Sequence, residues 1–165
     1  MIVYLVGMPG AGKSVVGKEL AGRLGVPFLD LDAEIERGSG MGVSEIFAQS
    51  GEAAFRGLEA AELVRASRQD PGVVACGGGV VLEPANRITL RNTGTVVFLD
   101  VPLAQLESRV RPAEERPLIR EAGDMERLLA EREPLYREFA AHVVDGSGTP
   151  QEVAEAIIEE LRWSA

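Results

Sequence analysis

Positive charge is scarce in this chain, and lysine is scarcest of all. Among 165 residues only Lys13 and Lys18 are lysine, against fifteen arginines, and the formal net charge is −9. Such a balance excludes a general nucleic-acid binder, since little would release counterions from a phosphate backbone. Any anionic ligand must be held by local arginines against the overall field. Cysteine is nearly missing too: Cys76 stands alone, which forbids a disulfide within the chain and fits a cytoplasmic compartment. No apolar run approaches membrane-spanning length. The first residues enter a strand-like run directly, so no signal peptide is expected. Repeats and low-complexity tracts are absent. What remains, 45% hydrophobic and 26% charged, is ordinary for a soluble protein, and the length fits a single domain over 1–165.

One of the two lysines lies in Gly7-Met8-Pro9-Gly10-Ala11-Gly12-Lys13-Ser14. The stretch fits G-x-x-x-x-G-K-[ST], the phosphate-binding loop. Ile2–Val6 before it reads as a buried strand, and Val15, Val16, Leu20 and Leu24 mark a helix after it. Its glycines let successive N–H groups turn inward on phosphate oxygens, and the helix adds the positive end of its dipole. Lys13 then reaches the β- and γ-phosphates, and the Ser14 hydroxyl takes a place on Mg²⁺. A glycine-rich turn with an incidental lysine is the plainer reading. The strand–loop–helix context and the rarity of lysine elsewhere argue against it.

Strand-like runs recur at 2–6, 26–29, 73–76, 95–99 and 142–144. Helical patterns fall at 13–24, 43–50, 52–69, 84–91, 102–110, 124–140 and 150–162. Such alternation predicts an α/β domain, with a mostly parallel sheet covered on both faces. Ligands of such sheets sit at the carboxyl ends of the strands. There the sequence offers the phosphate loop, Asp30, Gly77, Asp100 and Asp145.

Asp30 and Asp32 stand two apart, and in extended backbone both carboxylates face the same way. One can serve Mg²⁺ through water and the other can accept hydrogen bonds, or a proton, from substrate hydroxyls. Capping of a helix starting near Ala33 is the competing role. Arg56 and Glu59 share a helical face, as either a solvated pair or a guanidinium aimed at an anion. Gly77-Gly78-Gly79 at the end of a strand permits close approach of a ligand to backbone N–H donors. Cys76 reads as a packed apolar residue. Asp100 mimics a magnesium-binding strand end, but a following helix makes a structural cap the preferred reading. The charged, proline-marked stretch from Arg109 to Gly123 is a candidate lid. Pro134 should kink or restart the helix around it. The turn at 145–150 is suited to lie against a flat base.

Together these pieces resemble the shikimate kinases across nearly the whole chain. The matching motifs are Gly7–Ser14, Asp30 with Asp32, Gly51-Glu52…Phe55-Arg56, Gly77–Gly79, Arg116-Pro117-Leu118 and Pro134-Leu135-Tyr136-Arg137. The resemblance implies a nucleoside-monophosphate-kinase-like fold with a five-stranded parallel sheet in three α/β/α layers. It also implies a substrate-binding segment at about 31–60 and a lid at about 110–123. The implied reaction is transfer of the ATP γ-phosphate to the 3-hydroxyl of shikimate, on the route to chorismate and aromatic amino acids. Carried over by position, Gly10, Ala11, Gly12, Lys13, Ser14, Val15, Arg109, Arg116 and Pro150 meet ATP. Asp32, Arg56, Gly77, Gly78, Gly79 and Arg137 meet shikimate. Ser14 and Asp30 sit at Mg²⁺, and Lys13, Asp32 and Arg116 take part in catalysis. The turn Gly146-Ser147-Gly148-Thr149-Pro150 lacks an arginine often found there. A monomer is expected, with no nucleic-acid or membrane partner. Kinases for gluconate or for a nucleotide, and a nucleotide-dependent switch, are the alternatives.

Overall fold

Every residue of β1 (Ile2–Val6) is buried, as befits an apolar, non-alternating strand covered on both faces. The computed structural model describes residues 1–69, 72–110 and 117–163. With β1, the strands β2 (Phe28–Asp30), β3 (Val73–Ala75), β4 (Gly94–Asp100) and β5 (His142–Asp145) form one five-stranded parallel sheet in the order β2-β3-β1-β4-β5. The chain moves outward from β1 to β2, returns through β3, and then continues on the other side of β1. Strand order therefore reverses beside β1, which leaves a crevice at its carboxyl end.

The helices are α1 (Lys13–Leu24), α2 (Leu31–Ser39), α3 (Val43–Ser67), α4 (Pro84–Thr93), α5 (Leu103–Arg109), α6 (Asp124–Phe139) and α7 (Pro150–Trp163). They complete a three-layer α/β/α arrangement, with α1 packed on α7 and α3 on α4. Tyr4, Leu5, Leu20, Leu63, Leu90, Phe98 and Ile157 fill the main core. A smaller apolar cluster, Ile35, Ile46 and Phe55 with Met41, Val43 and Phe47, holds α2 against the first half of α3. It occupies the stretch expected to bind substrate.

Three local expectations need correction. β2 starts at Phe28, not Val26, because the Val26 N–H bonds to the Ala21 carbonyl at 3.1 Å and closes α1 instead of joining the sheet. α2 begins directly at Leu31, so Asp32 sits on a first helical turn and the extended-strand argument for its direction does not hold. α6 runs through Pro134 unbroken. Met125, Arg132, Tyr136 and Phe139 are buried on both sides of that proline, so packing outweighs the roughly 3 kcal/mol it costs a helix interior. By contrast, the break expected near residue 51 is present: Gly51 adopts φ 83°, ψ 171°, a region open essentially to glycine alone.

Register depends on Gly94, which pairs with Ile2. A Cβ there would overlap the Ile2 carbonyl oxygen and come within 2.8 Å of the Tyr4 ring. Gly94→Ala should cost about 1–3 kcal/mol, as overpacked cores do. Urea unfolding would register this as a lowered midpoint, whereas a midpoint within error of wild type would contradict it.

Candidate active site

The loop between β1 and α1 turns on Gly12, whose left-handed φ of 87° lets it cap α1 without a side chain. Lys13 is almost buried, and its Nζ donates to the carbonyls of Gly7 and Met8 at 2.8 and 2.9 Å. This holds the ammonium across the mouth of the loop. The Ser14 hydroxyl donates to Asp30 Oδ2. Asp30 Oδ1 accepts from the N–H groups of Asp32 and Ala33 at 3.1 and 3.3 Å. The capping role weighed for Asp30 is thus present on one oxygen, while the other meets the phosphate-loop serine.

From this loop a cavity of about 550 Å³ opens, and Asp30, Asp32, Arg56, Glu59, Gly77–Gly79 and Arg132 line it. Asp32 reaches it from the start of α2, which follows β2 without an intervening loop. Glu59 has no exposed surface, and its Oε1 accepts from Arg56 Nη1 at 2.9 Å. The pair anticipated on spacing is therefore buried at its acidic end and directed into the cavity. Burial holds the Glu59 carboxyl above its ordinary range; the Arg56 guanidinium opposes this, and the nearby Asp32 charge reinforces it. The glycine run makes room for these groups. A Cβ on Gly77 would lie 2.6 Å from Glu59 Oε2 and 2.9 Å from Asp32 Oδ1, and one on Gly79 would overlap the Arg56 guanidinium.

Arg137 is not among the residues lining this cavity. Its guanidinium pairs with Asp100 at 2.5 Å and Glu133 at 2.9 Å, and lies over the Phe98 ring. The arginine that α6 places in the cavity is Arg132, only 3% exposed. Five positions turn a helix through about 140°, which separates the two side chains. Sequence reasoning missed Arg132, although the signal was present: it interrupts an apolar stripe of Met125, half-buried Leu128, Tyr136 and Phe139 at helical spacing. Asp100, bound to Arg137, is structural but caps nothing, since α5 has no side-chain cap. Asp145 is likewise occupied: Ser147 N–H donates to it at 2.9 Å, and the Ser147 hydroxyl, followed by that N–H, holds its carboxyl below the usual range. Burial pushes the Cys76 thiol well above its ordinary range, in keeping with a packed apolar residue.

A second cavity of about 280 Å³ lies between the phosphate loop and the 146–150 turn, lined by Ala11, Gly12, Val15, Arg109, Gly146 and Pro150. Arg109 borders both cavities, and its Nη1 donates to the Gly10 carbonyl at 3.3 Å. Of the expected lid, Arg116 lies outside the described residues, while Pro117, Leu118 and Ile119 line the larger cavity.

A phosphate loop at the switch point of a parallel sheet, with a second pocket beside it, defines a P-loop kinase of the nucleoside-monophosphate-kinase type. A sequence model described as "Shikimate kinase" matches residues 9–162. A shikimate kinase from Halorhodospira halophila is 45% identical over 164 residues, covering 97% of this chain and 93% of that relative. The structure of a shikimate kinase from Acinetobacter baumannii in complex with shikimate superposes with a TM-score of 0.94 at 36% identity, covering 99% of this chain and 93% of that one. The chain belongs to the shikimate kinase family and is an ATP-dependent phosphotransferase. A gluconokinase from Sinorhizobium meliloti 1021 aligns over 99% of this chain and 96% of its own at a TM-score of 0.59 and 20% identity, a likeness of fold alone.

The buried Glu59 has a consequence for stability. The folded protein retains a proton that the unfolded chain releases near the ordinary 4.5. The stabilisation this gives is complete below that pH and is lost as pH rises through the raised folded value. Glu59→Gln, which cannot ionise, should flatten that decline. Denaturant midpoints taken from about pH 4 to about pH 8 measure the slope, and a slope equal to wild type would clear Glu59 of responsibility.

Proposed function

We propose that the chain transfers the γ-phosphate of ATP to the 3-hydroxyl of shikimate, giving shikimate 3-phosphate and ADP, through the residues gathered at the larger cavity. One observation carries this assignment of residues. Two guanidinium groups, Arg56 and Arg132, and the acceptor carboxylate Asp32 share one cavity with the phosphate loop. Shikimate carries a carboxylate and vicinal hydroxyls, so it needs cationic donors on one side and an acceptor on the other. The triphosphate follows the loop from Gly10 to Ser14, with adenine in the smaller cavity between Arg109 and Pro150. Lys13 lies against the transferring group, and Arg116 meets the phosphates from the lid.

Asp32 accepts the proton of the 3-hydroxyl as that oxygen bonds to the γ-phosphorus. The bond from phosphorus to the bridging oxygen breaks, and ADP leaves with the electron pair. Ser14 and Asp30 would hold Mg²⁺, because their touching oxygens suit a hard cation that keeps most of its water shell. Among the described residues no cluster of three His, Cys, Asp or Glu would cage a metal, which fits an ion bound largely by phosphate and water. Bound there, Mg²⁺ would neutralise charge on the phosphates. The segment about 31–60 and the stretch about 110–123 act as substrate-binding segment and lid of one domain. A cytoplasmic monomer without nucleic-acid or membrane partners completes the reading; among the described residues no helix is long and apolar enough to cross a membrane.

Charge-assisted hydrogen bonds contribute about 1.5–3 kcal/mol each. Arg132→Ala should therefore raise the shikimate KM about ten- to a hundredfold while the ATP KM stays within about twofold. Arg137→Ala, outside the cavity, should change neither. Coupled ADP release with shikimate, gluconate and nucleoside monophosphates measures both variants and acceptor choice together. An unaltered shikimate KM in Arg132→Ala removes that residue from the site, and turnover of gluconate in preference to shikimate overturns the acceptor.

A further inference from the structure

Tyr136 follows Arg132 by four residues on α6 and lies behind the cavity wall, fully buried. Its ring stacks on Phe98 with centroids 5.0 Å apart. Its hydroxyl donates to the carbonyl of Gly78, 58 residues away in sequence, and the Arg132 guanidinium lies at the same turn, 3.2 Å from where a Cβ on Gly78 would stand. A chain of contacts therefore runs from the Arg132 guanidinium past the Tyr136 hydroxyl, whose O–H donates to the Gly78 carbonyl. Burial pushes the phenol up to about 12, so it remains a donor at neutral pH.

Geometry gives this chain a purpose beyond packing. In a trans peptide the C=O of one residue and the N–H of the next point in opposite directions. Fixing the Gly78 carbonyl on Tyr136 thus turns the Gly79 N–H away from Tyr136. Arg56 approaches this same turn, since a Cβ on Gly79 would overlap its guanidinium.

We infer that Tyr136 is a positioning residue for the acceptor's carboxylate, setting the Gly78–Gly79 peptide and the Arg132 guanidinium as one prearranged group of donors. This rests on the acceptor reading above, in which Arg56 and Arg132 take the carboxylate. A phenylalanine at 136 keeps the stacking on Phe98 but leaves the Gly78 carbonyl without its donor and removes the hydroxyl beside the Arg132 guanidinium. Arg132 Nε has no hydrogen-bond partner among the described residues, so this guanidinium has few other constraints.

Tyr136→Phe should raise the shikimate KM about three- to tenfold, with kcat and the ATP KM within about twofold. The penalty should vanish for the analogue whose carboxylate is reduced to a hydroxymethyl group, which wild type and variant should use equally poorly. A merely structural hydroxyl would raise the KM values together or penalise both acceptors alike, and either result overturns the inference, as does an unchanged shikimate KM. A second measurement needs no substitution. The chain has two tyrosines, Tyr4 and Tyr136, and Tyr4 bonds to Thr93 at 2.8 Å in the core. With tyrosine labelled by ¹³C at Cζ, shikimate should move the Tyr136 resonance and leave that of Tyr4; a static Tyr136 signal counts against the inference even if the variant fails to fold. Wild-type turnover separates the two levels. Active wild type with an unaltered variant overturns this inference alone, and wild type inactive on shikimate overturns both.

Discussion

A carboxylate without solvent, Glu59, lies beneath the site, and the arrangement of cations above it depends on that burial. Taking such a group out of water carries a penalty of several kcal/mol, which a single ion pair seldom repays. An apolar residue among Phe55, Leu63 and Ala66 would serve the core at least as well. Glu59 is therefore poorly explained as a contribution to stability. Its effect is directional. Because its position is fixed by packing on α3, the Arg56 guanidinium that bonds to it has one preferred orientation before any ligand arrives. Arg56 also reaches Glu52 at 3.3 Å, and the two contacts together leave it little freedom to lose on binding.

The glycines opposite Glu59 are the spatial counterpart of this constraint. Gly77 faces Glu59 and Asp32, and Gly79 faces Arg56, at separations that no Cβ would tolerate. The turn at the end of β3 and the charged face of α3 are thus fitted to each other before they are fitted to a substrate. The same logic extends to α6, where Arg132 and Tyr136 approach Gly78. Three segments far apart in sequence converge on one peptide turn.

How much of this was legible in the sequence follows from the range of the signals. The phosphate loop, the strand that feeds it and the alternation of elements are local patterns, and they place the parallel sheet, the loop and the break at Gly51 correctly. Asp30 was readable as both a cap and a loop partner, since both roles arise within a few residues of the strand end. The sequence motif points to Arg137 and passes over Arg132 because a motif match counts letters, while a helix sorts them by angle. Arg132 and Tyr136 stand four apart on the buried face, and Glu133 and Arg137 four apart on the exposed one. Helical spacing alone would have made that division. The bond between Tyr136 and Gly78 left no mark in the sequence, for nothing local ties residues on α6 to a turn after β3.

Electrostatics join these local fits to the chain as a whole. Among the described residues, Lys13, Arg56, Arg109 and Arg132 face Asp30, Asp32, Glu36 and Glu59 around the larger cavity, so these four cations and four acids balance formally within a protein of net charge −9. The balance is uneven in effect. Glu59 is engaged by Arg56 and shifted toward its neutral form, and Asp30 is occupied by the Ser14 hydroxyl and the start of α2. What faces the cavity is consequently more positive than the count, and it sits beside the amino-terminal end of α1, whose dipole has the same sign. An acidic protein can present an anion site on these terms only if its local cations are held rigidly, because mobile arginines would relax toward the surrounding carboxylates. Arg137, lying between Asp100 and Glu133, shows where an arginine goes when nothing in the core restrains it.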